Sequence, residues 1–271
     1  MSEPKNRRKG GRNTGLQLRH IDPLNKNQEV VITNFRNKHL VLLGFPGTGK
    51  TFLALHCALK LVDEGSYERV VIVRSAVTGR DMGFLPGTAE EKMSCFEEPY
   101  EAMSTDLYGR ADAYGILKTR GIVEFRSTST NRGLTLKDAV VIVDEAQNLS
   151  DQELHTIITR LGDNCKLVLC GDVKQDDLTN PRYKEVSGLN QTLGILRTIP
   201  DIKFVDFQMA DIVRSDFVRD YIIARYNQEH KGSLDGLKTF LKEPKTQEAI
   251  ESLQSVHASH GPNKALHDKV V

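Results

Sequence analysis

Six short apolar runs recur between residues 21 and 230, and segments with helical spacing separate most of them. Runs of Val, Ile and Leu without polar alternation indicate strands that are buried on both faces. Strands that alternate with helices predict an α/β domain with a mostly parallel sheet. The six runs are HLVLLG (39–44), RVVIVRS (69–75), GIVEFRS (121–127), AVVIVDE (139–145), CKLVLCGD (165–172) and IKFVDF (202–207).

The first apolar run leads into GFPGTGKT, residues 44–51, which fits the pattern G-x-x-x-x-G-K-[ST]. In such a loop the backbone N–H groups cradle phosphate, Lys50 reaches the terminal phosphates and Thr51 reaches Mg²⁺. The alternative is a glycine turn without a ligand. A strand before the loop and a helix after it favour the phosphate site. The candidate nucleotide-binding residues are Gly44, Phe45, Pro46, Gly47, Thr48, Gly49, Lys50 and Thr51.

An acidic pair, Asp144 and Glu145, follows the fourth apolar run. Carboxylates there would stand at the edge of an open α/β sheet where ligands bind. We expect Asp144 to hold Mg²⁺, and Glu145 to orient or deprotonate the attacking water. The alternative is that the acidic pair only precedes the start of a helix and has no ligand. Separately, Ser150 and Glu153 predict a capping box at the start of the next helix.

The fifth apolar run ends in GDVKQDDL, residues 171–178, which places Gln175 shortly after a strand. An amide can hydrogen-bond both a phosphoryl oxygen and the attacking water, so its contacts change when the γ-phosphate leaves. We expect Gln175 to sense the γ-phosphate. The alternative is a polar turn.

Charge divides the chain unevenly. Residues 1–20 hold six Lys or Arg and one acidic residue, whereas residues 21–230 hold 25 basic and 30 acidic residues. A basic segment with so few apolar residues is expected to be disordered, either as an electrostatic arm for nucleic acid or as a solubilising extension. Residues 231–271 are interpreted as a mobile tail whose histidines are solvated rather than metal ligands.

Two further observations limit the class of protein. No window approaches the ~20 apolar residues of a membrane helix, and the N-terminus lacks the apolar region of a secretory signal, so we expect a cytoplasmic protein without membrane contact. The four cysteines form no C-x-x-C pair, so we expect neither zinc nor disulfides.

Several motifs together resemble the PhoH-like proteins, P-loop ATPases related to the first motor domain of superfamily-one helicases. The resemblance covers roughly residues 21–226. It departs from the family pattern at Ser75, where Pro is usual, and at Thr78, where an acidic residue is usual. It implies a three-layer, RecA-like P-loop NTPase core. The matching stretches are GFPGTGKT, RSAVTGRDMGFLPGTAEEK, RGLTLKDAVVIVDEAQN, GDVKQDDL, SGL (187–189) and DIVR (211–214).

The resemblance implies the roles already given to the phosphate loop, the acidic pair and Gln175, with ATP and Mg²⁺ as ligands. It adds Gln28, which falls where related helicases place a glutamine that recognises adenine. It also adds Arg214, a candidate for contacting the γ-phosphate. Without the resemblance, Gln28 would be a residue near a helix start and Arg214 a surface arginine.

The resemblance implies ATP hydrolysis with a role on RNA or single-stranded nucleic acid. Arg74, Arg80 and Arg132 could contact a nucleic-acid backbone, although no aromatic stacking platform is evident. An assembly or signalling ATPase without a nucleic-acid substrate stays open. A small-molecule kinase is a weaker third interpretation, because Glu145 and Gln175 suit attack by water better than transfer to an acceptor.

Assembly is the last expectation. Related helicases close an ATP site between two motor cores, and residues 21–230 have room for one. We therefore expect a homo-oligomer, with a hexameric ring favoured, in which ATP lies at each junction and Arg214 acts on the neighbouring subunit.

Overall fold

The structure is a computed structural model that describes residues 14–75, 89–128, 135–172 and 188–229, with the side chains of residues 89–93 left out. The chain divides into a unit Met1–Asp211 and a second unit Ile212–Val271. The first unit contains the whole sheet, and the described part of the second contains one helix.

All six predicted strands are present, and they form one parallel sheet. The order across the sheet is β3-β2-β4-β5-β1-β6, and the described pairs are all parallel. One strand, β5, therefore separates the strand before the phosphate loop from the strand before the acidic pair. The strands are β1 His39–Gly44, β2 Arg69–Arg74, β3 Val123–Ser127, β4 Ala139–Asp144, β5 Cys165–Gly171 and β6 Ile202–Phe207.

Seven described α-helices accompany the strands, six in the first unit and the last in the second. They are α1 Lys26–Asn34, α2 Lys50–Asp63, α3 Ala89–Tyr108, α4 Ala113–Thr119, α5 Asp151–Thr159, α6 Leu189–Leu196 and α7 Asp216–Glu229. The capping box predicted for Ser150 and Glu153 is confirmed at the start of α5.

Helices cover both faces of the sheet, as the unbroken apolar runs predict. Alternate strand residues such as Leu40 and Ile72 pack with α1, α2, α3 and α4, whereas Val41 and Val71 pack with α5 and α6. This is the three-layer arrangement of a RecA-like P-loop core, so the predicted fold class is confirmed. Of the described helices, none is both long and apolar enough to cross a membrane.

Residues 14–20, the described end of the predicted arm, pack against the core of the first unit. Leu16 and Leu18 are partly buried against the core cluster, and the Arg19 N–H donates to the Leu107 carbonyl over 2.9 Å. The remaining arm residues, 1–13, are outside the described residues, as are residues 230–271 with the predicted tail.

Candidate functional site

The phosphate loop connects β1 to α2 at the edge where the parallel strands end. Gly44 has a φ of 126°, and a Cβ there would lie 2.0 Å from the Phe207 carbonyl oxygen of the neighbouring strand. Gly49 precedes α2 with a φ of 84°. Only glycine adopts such conformations without strain, which explains two glycines of the motif. The loop thus brings the amide-bearing start of a 14-residue helix to the sheet edge, a geometry that favours anions.

Lys50 is the first residue of α2, and its ammonium group points back along the loop. Its Nζ donates to the carbonyl oxygens of Gly44 over 2.6 Å and Phe45 over 2.7 Å. Burial lowers the pKa of Lys50, and the negative groups around it, including Asp172 and Glu145, oppose that effect. The ammonium group is therefore held inside the loop, next to carboxylates that favour its charged form.

Thr51 and Asp144 meet although 93 positions separate them in the chain. The Thr51 hydroxyl donates to Asp144 Oδ1 over 2.8 Å, and Asp144 is buried at the end of β4. A hydroxyl and a carboxylate are hard oxygen donors of the kind that Mg²⁺ prefers. These two residues could hold Mg²⁺ beside phosphates bound in the loop.

Glu145 follows the strand in a left-handed conformation, with a φ of 50°. Its carboxylate accepts a hydrogen bond of 2.6 Å from Gln147 Nε2, and Gln147 Oε1 accepts from the Asp172 N–H over 3.0 Å. Gln147, which the sequence analysis did not single out, thus ties the acidic pair to the residue after β5. In the sequence, only the position of Gln147, two residues after Glu145, could have pointed to this role.

Tyr100 is a second residue that the sequence analysis missed. It lies in α3, is 1% exposed, and its hydroxyl donates to Asp144 Oδ2 over 2.7 Å. We find no sequence signal for it, since α3 belongs to neither the phosphate loop nor the acidic pair.

Gln28 lies in the first turn of α1, buried beside the phosphate loop. Its Nε2 donates to the Thr48 carbonyl over 3.1 Å, and its Oε1 accepts from the Leu24 N–H over 2.8 Å. An amide has two donor and two acceptor positions, so these bonds use one of each. The placement ties α1 to the loop, and adenine recognition by Gln28 stays a prediction.

Of the other predicted residues, Arg74 lies beside this site, because its Cα on β2 is paired with that of Asp144 on β4. Arg214 is an exposed residue of the second unit, two positions before α7. Gln175, Arg80 and Arg132 lie outside the described residues. Arg74 ends β2, and its charge opposes the rise in the pKa of Tyr100 that burial causes.

The sequence model of the family described as "PhoH-like protein" matches residues 20–227. This chain belongs to the PhoH-like family. The matched range contains the loop, the acidic pair, Gln28 and Arg214, so the site described above lies within the family domain. The predicted family is confirmed, and with it a P-loop NTPase fold.

Two curated relatives carry PhoH names. A PhoH-like protein of Bacillus subtilis is 37% identical over 205 residues, which cover 75% of this chain and 62% of that protein. Protein PhoH of Escherichia coli is 33% identical over 174 residues, which cover 64% of this chain and 48% of that protein. The chain therefore spans about half to three fifths of the length of these relatives.

Solved structures resemble the chain at low sequence identity. A Sulfolobus solfataricus SWI2/SNF2 ATPase core in complex with dsDNA has a TM-score of 0.41 at 14% identity, with 70% of this chain and 47% of that chain covered. A large terminase from a thermophilic bacteriophage has a TM-score of 0.43 at 14% identity, with 76% of this chain and 50% of that chain covered.

Proposed function

We propose that this PhoH-like chain hydrolyses ATP in a Mg²⁺-dependent reaction at the carboxyl edge of its sheet. The observation that carries the proposal is the 2.8 Å hydrogen bond between Thr51 Oγ1 and Asp144 Oδ1. It joins the two motifs that would share one metal ion. The ammonium group of Lys50, at the start of α2, lies against the adjoining loop, where its charge can bind terminal phosphates.

The chain's own residues supply each part of the reaction. The loop amides and Lys50 bind and orient the phosphates, while Thr51 and Asp144 hold Mg²⁺. When bound, Mg²⁺ neutralises charge on the phosphate oxygens. Glu145 accepts the proton of the attacking water. Gln147 holds the Glu145 carboxylate through its 2.6 Å hydrogen bond and so sets its orientation. Gln175 senses loss of the γ-phosphate.

The finer proposal is that turnover is coupled to RNA or single-stranded nucleic acid. Its support is the basic segment 1–13, with five Lys or Arg and one acidic residue. Arg74 at the end of β2 adds to it, as do Arg80 and Arg132 by their positions in the sequence. The alternative is an assembly or signalling ATPase that binds no nucleic acid, for which the segment contributes only solubility.

The test is phosphate release from ATP by the purified full chain, with Mg²⁺ or EDTA, and with single-stranded RNA, single-stranded DNA or duplex added. We expect turnover that requires Mg²⁺ and increases with single strands. Turnover without such stimulation would favour the assembly or signalling ATPase. Absence of turnover under all these conditions would contradict the ATPase proposal.

Deleting residues 2–13 tests the arm without removing residues 14–20, which pack against the core of the first unit. Each phosphate neutralised contributes about −0.9 to the log–log salt slope of affinity on duplex and about −0.7 on single strands. We expect a weaker affinity and a flatter slope after the deletion. An unchanged slope would contradict the arm hypothesis.

We also propose a ring-shaped homo-oligomer, favouring a hexamer, in which a second copy of the chain closes the ATP site. Arg214 would then act on the neighbouring subunit, a contribution that can reach about 10³–10⁵ in rate. Mixing the inactive variants Arg214→Ala and Lys50→Ala tests this, since a mixed junction can combine an intact loop with an intact arginine. Recovered turnover supports the ring. A fully active monomer at nanomolar concentration contradicts it, as does absence of recovery after demonstrated subunit mixing.

A further inference from the structure

We propose that Tyr100 is a positioning residue for Asp144, which it holds in the orientation that Mg²⁺ binding requires; this inference rests on the proposed function. The phosphate loop and acidic pair do not include Tyr100, which comes from α3. Its hydroxyl donates to Asp144 Oδ2 over 2.7 Å.

Both oxygens of the Asp144 carboxylate have a hydroxyl donor. Thr51 donates to Oδ1 over 2.8 Å, and Tyr100 donates to Oδ2 over 2.7 Å. Rotation of the carboxylate would stretch both bonds, so the two donors define its plane. Because Asp144 is only 5% exposed, water has little access to replace a lost donor. Removing one hydroxyl should therefore leave the carboxylate less well oriented.

Tyr100 is itself rigidly placed. The side chain is 1% exposed, and its ring centroid lies 5.7 Å from that of Phe125 on the edge strand β3. A tyrosine hydroxyl carries its proton at neutral pH, since its ordinary pKa is about 10, so Tyr100 is a donor to Asp144. A buried, fixed donor is the kind of partner that orients a metal-binding side chain.

A second side chain that fixes Tyr100 is Phe125 of β3, whose ring centroid lies 5.7 Å from that of Tyr100. Phe125→Leu should loosen the Tyr100 ring without removing its hydroxyl. It should therefore change Mg²⁺ binding in the same direction as Tyr100→Phe, but less. Arg74, which we predicted as a nucleic-acid contact, ends β2, where its Cα is paired with that of Asp144.

The chain provides a matched control for loss of a buried tyrosine hydroxyl. Tyr114 of α4 is 3% exposed, and its hydroxyl also donates to a carboxylate, that of Glu97, over 2.7 Å. Glu97 pairs in addition with Lys118. Tyr100→Phe and Tyr114→Phe therefore remove the same group from similar surroundings, and only Tyr100 donates to the candidate metal carboxylate.

The experiment uses the full chain and three readouts. They are the Mg²⁺ concentration for half-maximal ATP turnover, the affinity for Mn²⁺ with ADP present measured by electron paramagnetic resonance, and ADP affinity in EDTA. For Tyr100→Phe we expect about 10–100-fold weaker metal binding with unchanged ADP affinity in EDTA. Tyr114→Phe should leave all three unchanged, and Phe125→Leu should weaken metal binding by a smaller factor.

Urea unfolding of each variant identifies any general loss of structure. The proposal is overturned if Tyr100→Phe is folded and binds metal as Tyr114→Phe does. If Tyr100→Phe does not fold, unchanged metal binding by Phe125→Leu overturns it instead. A wild-type chain that binds neither Mn²⁺–ADP nor Mg²⁺–ATP would contradict the proposed function, a result distinct from failure of this inference alone.

Discussion

The parallel sheet has a lysine at each end of its strands: half-buried Lys50 at the carboxyl ends, here called the loop edge, and buried Lys166 at the amino ends, the opposite edge. The two lysines differ in what surrounds them. Lys50 lies where strands end, with two loop carbonyls as acceptors and the acidic pair nearby. Lys166 is the second residue of β5, where strands begin, and is 3% exposed. Its Nζ donates to the Lys38 carbonyl over 2.5 Å and lies 5.8 Å from the Phe35 ring centroid.

Burial lowers the pKa of both lysines, that of Lys166 to about 8. A lowered pKa therefore shows that a lysine is buried and does not by itself indicate a catalytic site. The carboxyl ends of the strands differ because three features meet around Lys50: a helix start, a candidate metal-binding pair and a candidate base. At the opposite edge, Lys166 is surrounded by a carbonyl oxygen, an aromatic ring and the charge of Asp201. These neighbours stabilise the fold and form no candidate site.

The largest difference between the edges should appear in the turnover of carboxylate variants. Glu145→Gln removes the candidate base and should lower ATP turnover by about 10²–10⁴-fold, with nucleotide affinity kept. The matched variant Asp201→Asn removes a carboxylate at the opposite edge and should leave the rate unchanged. Steady-state phosphate release measures both. Equal rates for Glu145→Gln and the wild type would mean that Glu145 is not the base.

The backbone of the loop gives the next largest effect. Gly44→Ala places a Cβ against the Phe207 carbonyl at a positive φ, which should destabilise the fold by about 2–5 kcal/mol. Gly194→Ala, within α6 and with open space around the new Cβ, should stabilise by about 0.5–1 kcal/mol. Urea unfolding compares the two. A Gly44→Ala protein as stable as the wild type would contradict the loop geometry.

Exchanging each lysine for methionine compares the edges directly. Lys50→Met should weaken ATP affinity by about 10–100-fold, since a hydrogen bond to a charged group contributes about 1.5–3 kcal/mol. Lys166→Met should bind ATP as the wild type does, because its partners lie at the opposite edge. Calorimetric titration with a non-hydrolysable ATP analogue measures both affinities. Similar losses in the two variants would remove the distinction between the edges.

The smallest effect is a pH dependence at Lys166. Its pKa is about 8 in the folded chain against an ordinary 10.5, so the unfolded chain binds more protons between these values. Stability from this group should therefore rise with pH from about 8 to 10.5. The unfolding free energy of the wild type minus that of Lys166→Met should increase between pH 7.5 and 9.5. A constant difference would show that Lys166 titrates normally.

Much of the fold was accessible from sequence because the strands are buried on both faces. Unbroken apolar runs give a strong signal, and each of the six became a strand. The ends of β1 and β4 then carry the motif residues, so parallel pairing alone brings Thr51 and Asp144 to one edge. The capping box at Ser150 was equally predictable, since its two bonds lie within one helical turn.

The contacts that the sequence did not predict depend on packing between segments that are distant in the chain. Tyr100 contacts Asp144 because α3 covers that part of the sheet, and 44 positions separate the two residues. Gln147 bridges to Asp172 only because β4 and β5 are neighbours, an order that periodicity does not reveal. The packing of Leu16 and Leu18 was also missed, since two apolar residues in a basic segment give no periodic signal.

Binding of Mg²⁺–ATP at the loop edge of the sheet can be located by hydrogen–deuterium exchange without any substitution. Mass spectrometry of the full chain would compare exchange with and without Mg²⁺ and a non-hydrolysable ATP analogue. We predict slower exchange in peptides covering 44–54 and 144–149, and unchanged exchange around Lys38, Lys166 and Asp201. Slowing at the opposite edge, or no slowing in the loop at saturating nucleotide, would contradict the account.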